Sequence, residues 1–262
     1  MPVTATTARF TDRVVVATGS AAGLGLATVR QFAAEGARLV LVDWSEQALK
    51  DVVGDFTAAG VQAVGVPGDV SLASTATEAV RVAIDTFGRI DVLFNNAAID
   101  PLAATSLTET SEEMWDKVID INLKSAYLFV RETIPVMVAA GGGSIISTAS
   151  SAGTKASPRE AVYGISKAAL IALTRSVARD HSHEGVRANC VCPGFLEGIV
   201  NDRRAAMTNE AIAARAARAA DLVPMGREGR YEEVARSILF LASEESSYTS
   251  GASLLIDGGW LA

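Results

Sequence analysis

The sequence predicts an α/β fold: a doubly wound, mostly parallel sheet of seven strands with helices on both faces. Three observations predict it. Short β-branched runs alternate with longer segments whose apolar residues recur at helical spacing. The strand-like runs are apolar throughout, as in Leu39-Val40-Leu41-Val42, the pattern of strands covered on both faces. A glycine-rich turn separates the first strand from the first helix. Right-handed strand–helix–strand crossovers then build a parallel sheet of the Rossmann type.

Strands are expected at 14–18, 38–43, 62–67, 91–95, 144–148, 186–192 and 253–256. Helices are expected over 26–35, 46–59, 74–87, from 112 through 130 and beyond, over 163–181 and over 232–241. Gly36, Gly60 and Gly88 follow the first three helical segments, where a glycine can close a helix. Glu112-Glu113 open the fourth, where carboxylates suit the helix dipole. Residues 1–13 read as a short tail. Residues 195–223 are Ala- and Arg-rich and read as a helical insertion after the sixth strand, a substrate lid or binding segment. Its Arg203, Arg204, Arg215 and Arg218 are read as a solvated helix face. No linker, charge block or low-complexity run divides the chain, so residues 1–262 form one domain.

Composition excludes several function classes. With 49% hydrophobic and 20% charged residues the chain has the make-up of a water-soluble globular protein. A net charge of −7 argues against nucleic acid as a partner, since phosphate binding needs a basic face. No run of about 18 consecutive apolar residues suggests a membrane span, and the N-terminus lacks the basic start and apolar stretch of a signal peptide. Cys190 and Cys192, two apart in an apolar strand, read as buried small residues and fit a reducing cytoplasmic setting. Two cysteines and two histidines form no zinc pattern, and no metal is expected. His181 and His183 read as surface residues at a helix C-terminus.

The turn carries the first chemistry. In Thr18-Gly19-Ser20-Ala21-Ala22-Gly23-Leu24-Gly25, Gly19 permits a tight turn. Gly23 and Gly25 remove side chains where a pyrophosphate and the helix approach the backbone. The helix N-terminus beyond offers unpaired N–H groups and partial positive charge to phosphate. Asp43 ends the second strand about twenty residues on, where a carboxylate accepts hydrogen bonds from the adenosine ribose hydroxyls and repels a 2′-phosphate. Trp44 follows instead of Arg or Lys, and the turn has no basic residue, so the expected cofactor is NAD rather than NADP.

With these residues in view, the chain resembles the short-chain dehydrogenase/reductase family, in its single-domain branch, over nearly its whole length. Thr18–Gly25 resembles the family's T-G-x-x-x-G-x-G, and Asn95-Asn96-Ala97 its N-N-A-G. Asn122 after Asp120-Ile121 resembles its internal asparagine motif. Ser150 followed by Tyr163-Gly164-Ile165-Ser166-Lys167 resembles its S…Y-x-x-x-K signature. Pro193-Gly194, Pro224-Met225-Gly226-Arg227 and Asp257-Gly258-Gly259 resemble its later motifs. Two positions depart: Ala98 replaces the usual glycine, and Gly198 stands where the family often has a threonine that contacts the cofactor.

The resemblance implies an oxidoreductase that interconverts a secondary alcohol and a ketone. Tyr163 and Lys167, four apart on a helix, share one face. A free tyrosine has a pKa of about 10, and a nearby ammonium favours the phenolate, bringing it toward use as an acid–base group. Ser150 would hydrogen-bond the substrate oxygen, and Asn122 would hold a water linking Lys167 to solvent. Lys167 would also bond the nicotinamide ribose. The resemblance puts Ala22, Leu24, Trp44, Asp69, Val70, Asn95, Ala97 and Leu196 at the cofactor, with Asp69 beside the adenine and Pro193-Gly194 at the nicotinamide. It further implies a homotetramer with the last strand and the Tyr163 helix at interfaces. Residues 97–102, 151–160 and 195–223 would form the substrate pocket, mostly apolar surface plus Asp100, Lys155, Arg159 and Glu160, which leans toward a cyclic or hydrophobic substrate. A non-catalytic NAD-binding regulator or scaffold of the same fold is the alternative; a dehydratase or epimerase would need an added acid–base residue that the sequence does not supply.

Overall fold

A computed structural model describes residues 8–101, 106–197 and 208–262. All seven strands are parallel, in the order β3-β2-β1-β4-β5-β6-β7. They are β1 (Val14–Thr18), β2 (Arg38–Asp43), β3 (Ala63–Pro67), β4 (Val92–Asn95), β5 (Gly143–Thr148), β6 (Val186–Pro193) and β7 (Ser253–Ile256). The helices are α1 (Gly23–Ala34), α2 (Glu46–Ala58), α3 (Ala73–Phe87), α4 (Glu112–Ile119), α5 (Ser125–Ala139), α6 (Ala161–His181), α7 (Asn209–Leu222) and α8 (Tyr231–Ala242).

Alternation along each strand sends side chains to two separate cores. Val15, Ala17, Leu39 and Leu41 meet Phe32, Leu49, Phe56, Ile238 and Leu239 from α1, α2 and α8. Val14, Val16, Val40 and Val42 face Ala76, Ala79, Leu128, Phe129 and Val177 from α3, α5 and α6. The strands are therefore apolar on both sides because both sides are covered. Gly88 closes α3 in the left-handed conformation, φ +77°, as the sequence suggests.

Four features differ from the sequence expectation. The sheet is wholly parallel, and α1 starts at Gly23, inside the glycine-rich turn. The helix expected from residue 112 onward is split by a π-turn at Asp120–Lys124; apolar periodicity does not register one inserted residue. Residues 8–13 are more than a tail. Phe10 stacks edge-on against Phe32 at 4.8 Å between ring centres, and Arg9 pairs with Glu35 and Glu245.

α6 is the one helix among the described residues long and apolar enough, by composition, to cross a membrane. In this fold it packs against the sheet through buried Val162, Ser166, Lys167, Leu170, Ile171, Thr174, Val177 and Ala178. Chain order reverses at β1, between β2 and β4, and in open parallel sheets ligands bind at the carboxyl ends beside such a switch.

Candidate active site

At that switch point the turn's glycines are required by contact. Gly19 has φ +60°, and a Cβ there would lie 2.8 Å from the Ala97 Cα. A Cβ on Gly25 would lie 1.9 Å from the Gly19 carbonyl oxygen, so its absence lets α1 pack onto the turn. Gly23 opens α1 with φ +54°. Ala22 is the N-cap and has no side chain to offer, and the first turn holds no acidic residue. The N–H groups around Leu24 thus keep their capacity for an anion.

Asp43 is buried at the end of β2. Its carboxylate accepts from Ala21 N–H at 2.9 Å and from Ser45 N–H at 3.1 Å, one bond per oxygen. An ionised carboxylate has about four acceptor sites, so capacity remains for ribose hydroxyls. Trp44 beside it is 84% exposed. Asp69 is exposed and accepts from Ser71 N–H and Oγ in the turn before α3, while Val70 is buried.

The two asparagines after β4 differ in role. Asn95 is 5% exposed, and neither its amide nitrogen nor its oxygen meets a protein partner. Buried amides without partners are uncommon in proteins. Together with the uncapped α1 N-terminus, Asn95 makes the cleft suited to a polar ligand such as a dinucleotide. Asn96 is a structural node instead. Its Nδ2 donates to Gly19 O at 3.0 Å and Thr18 O at 3.3 Å, and its Oδ1 accepts from Thr148 Oγ1 at 3.1 Å. Thr18 Oγ1 accepts from the N–H groups of Asn96 and Ala97. The turn, the end of β4 and the end of β5 are held in one network.

Ser150 follows β5 and precedes a 3₁₀ turn, Ser151–Gly153. Two glycines bring this turn onto α6. A Cβ on Gly153 would lie 2.7 Å from the Lys167 carbonyl carbon, and one on Gly164 would lie 3.0 Å from Ala152 O. Tyr163 and Lys167 stand one turn apart on α6, as expected, with Lys167 Nζ 5.5 Å from the Tyr163 ring centre. Lys167 is 2% exposed, and its ammonium donates to Thr148 O at 2.7 Å. Burial pushes its pKa down to about 8, against the opposing pull of the Asp100 carboxylate. The Cys190 sulfur and burial push the Cys192 thiol up, so it stands behind Lys167 as a neutral group. Cys190 and Cys192 are buried and unbridged, as the sequence suggests.

Asn122 lies in the π-turn and is buried. Its Oδ1 accepts from Ile99 N–H at 2.8 Å, and its Nδ2 donates to Ile99 O at 2.9 Å and Ser166 Oγ at 3.1 Å. Both amide protons are thereby used, so the side chain anchors the 95–100 segment and cannot itself donate to a water beside Lys167. The π-turn aims it there.

The strand-end strap after β6 is shaped by the C-terminus. A Cβ on Gly194 would meet Asp257 Cβ at 2.8 Å, and Gly194 N–H donates to Ile256 O at 3.1 Å. Asp257 in turn accepts from Gly259 N–H and Leu261 N–H. Met225 N–H donates to Gly258 O at 3.2 Å. Pro193-Gly194, Pro224-Met225-Gly226 and Asp257-Gly258-Gly259 are one assembly at the carboxyl end of the sheet. Leu196 is buried beyond it and bridges Gly229.

This geometry agrees with the comparisons. A family profile described as enoyl-(acyl carrier protein) reductase matches residues 19–261. An uncharacterized oxidoreductase of Thermotoga maritima is 38% identical over 95% of this chain and 98% of its own. The 2,5-dichloro-2,5-cyclohexadiene-1,4-diol dehydrogenase LinX of Sphingobium indicum is 34% identical, covering 96% of this chain and 97% of its own. Among solved structures, levodione reductase superposes with a TM-score of 0.90 at 33% identity, covering 96% of this chain and 98% of its own. The chain belongs to the short-chain dehydrogenase/reductase family.

As a short-chain dehydrogenase/reductase the protein has a nicotinamide dinucleotide as its cofactor class. The residues present fit that group: an uncapped helix N-terminus, a turn free of side chains, and a partnerless buried amide at Asn95. Of the departures from the family pattern, Ala98 lies in the anchored 95–100 segment. Gly198, Leu102 and the arginines Arg203 and Arg204 lie outside the described residues. Arg218 is exposed as expected. Arg215 is not on a solvated face; it is paired and 23% exposed. Asn96, Thr148 and Arg215 join the site without a sequence expectation that places them there. Asn96 could have been singled out from its motif; the others have no local signal. Asp100, one of the charged residues expected in the pocket, is 7% exposed and acts as a carboxylate on Lys167.

Proposed function

We propose that this chain is an NAD(H)-dependent dehydrogenase or reductase interconverting a secondary alcohol and a ketone, with Tyr163 as the acid–base group. The observation that carries the reading is the buried Lys167 ammonium, 5.5 Å from the Tyr163 ring and fixed on Thr148 O. A cation held there favours the phenolate, which takes the proton from an alcohol or, as the phenol, returns it to a ketone. Ser150 Oγ accepts from Ala152 N–H at 3.1 Å, which leaves its own proton for the substrate oxygen. Lys167, Asn95, Asp43 and the α1 N-terminus hold the dinucleotide, and Pro193-Gly194 backs the nicotinamide. When bound, the nicotinamide supplies or accepts the hydride.

NAD is preferred to NADP because the Asp43 carboxylate opposes a 2′-phosphate and no basic residue stands in the turn or beside Asp43. The substrate class, a cyclic or hydrophobic secondary alcohol, is supported by the apolar Ala97, Ala98, Ile99 and Pro101 after β4 and by LinX, a relative named for a ring diol. A homotetramer would cover exposed Leu254 and Leu255 on the edge strand β7, and Ile165 on α6; solution scattering at the mass of four chains is the expected result. The two unbridged cysteines fit a reducing cytosol.

The test is NAD reduction across alcohols, diols, sugars and hydroxysteroids, with Tyr163→Phe beside the unaltered protein. Turnover with NAD that Tyr163→Phe abolishes, at nearly unchanged NADH affinity, is expected. NADH binding without turnover on any substrate would instead support the non-catalytic reading.

A further inference from the structure

The segment after Pro193-Gly194 forms a short two-bond ladder with the chain that precedes α8. Glu197 N–H donates to Gly229 O at 2.9 Å, and Gly229 N–H donates to Phe195 O at 2.9 Å. One guanidinium from α7 closes both sides of it. Arg215 Nη1 donates to Leu196 O at 3.3 Å and to the Glu228 carboxylate. Its Cζ sits 5.5 Å from the Phe195 ring centre, and Phe195 packs edge-on against Trp260 at 4.9 Å. Glu228 is mostly buried, and among the described residues Arg215 is its ion-pair partner.

We infer that Arg215 is a positioning residue, which holds the 194–197 strap in register so that its backbone meets the nicotinamide half of the cofactor. The inference rests on the proposed dinucleotide function. Arg215 touches neither the turn at Gly19–Gly25 nor Asp43, so the adenosine half is held independently. A planar guanidinium satisfies a carbonyl, a carboxylate and a ring face together; an ammonium cannot match that geometry.

The experiment compares NADH with ADP-ribose, which shares the adenosine half and lacks nicotinamide. Both are titrated by calorimetry against the full chain, Arg215→Met, Arg215→Lys and Glu228→Gln. Arg215→Met is expected to weaken NADH about tenfold and leave ADP-ribose within twofold, with Arg215→Lys recovering only part of the loss. KM for the cofactor should rise more than kcat falls. Glu228→Gln should move NADH affinity in the same direction by a smaller factor, and it tests the brace if Arg215→Met does not fold. Equal weakening of NADH and ADP-ribose, or unchanged NADH affinity in folded variants, would overturn the inference. Failure of the unaltered protein to bind either ligand would overturn the proposed function itself.

Discussion

Replacing Lys167 by methionine gives a measurable handle on how the site is held. The stem is kept and the ammonium removed. In the folded chain burial brings the Lys167 pKa down to about 8, while an unfolded lysine titrates at about 10.4. The folded state therefore releases its proton first as pH rises, and between those values the unfolded state binds more protons. Stability must increase with pH across that window. At pH 7 both states are protonated and the buried charge costs about 3 kcal/mol, and by pH 10 about 2 kcal/mol of that cost has gone. Lys167→Met has no such group. In urea unfolding of the cofactor-free protein, followed by tryptophan fluorescence at fixed protein concentration, the variant is expected to be the more stable at pH 7. Its advantage should shrink by about 2 kcal/mol between pH 7 and pH 10. A stability difference independent of pH over that range would refute the assignment of a depressed Lys167. Activity falls away at every pH, since the cation beside Tyr163 is gone.

Three further perturbations test the framework. Asn96→Ala removes three hydrogen bonds joining the turn, β4 and β5, and should cost about 2–4 kcal/mol in urea unfolding. Gly25→Ala places a methyl group 1.9 Å from Gly19 O. It should cost about 3 kcal/mol or more and weaken NADH binding at least about 100-fold, read by calorimetry. Asp43→Asn keeps the shape and removes the charge at the end of β2. The ratio of kcat/KM for NADP to that for NAD should rise about tenfold, and an unchanged ratio would count against Asp43 as the selector.

Much of the fold was readable because the signals are local. Apolar strands bounded by glycine and separated by helical periods place β1 to β7 within a residue or two. The turn, Asp43, Ser150, Tyr163 and Lys167 lie on elements whose direction follows from their type. What escaped depends on partners far along the chain. Asn96 acts through Gly19 and Thr148, and Arg215 through Leu196 and Glu228. The π-turn escaped because one extra residue leaves the helical pattern almost unchanged, yet it aims Asn122 at Ile99. Lys167 was assigned its phenol and ribose roles, but its bond to Thr148 O depends on how α6 lies across β5, which spacing does not encode.

The packing of Asp257 against Gly194 also sets an order of assembly. Residues 14–43 supply the turn and Asp43, and Asn96 and Thr148 hold that turn, so this end of the cleft is complete once β5 is in place. The strap after β6 needs residues further on: Ile256 O receives Gly194 N–H, and Gly258 O receives Met225 N–H. During synthesis the strap is therefore braced later than the turn, once β7 and Gly258 have been made. A cleavage ahead of β7 would for the same reason leave the turn standing and the strap without its brace.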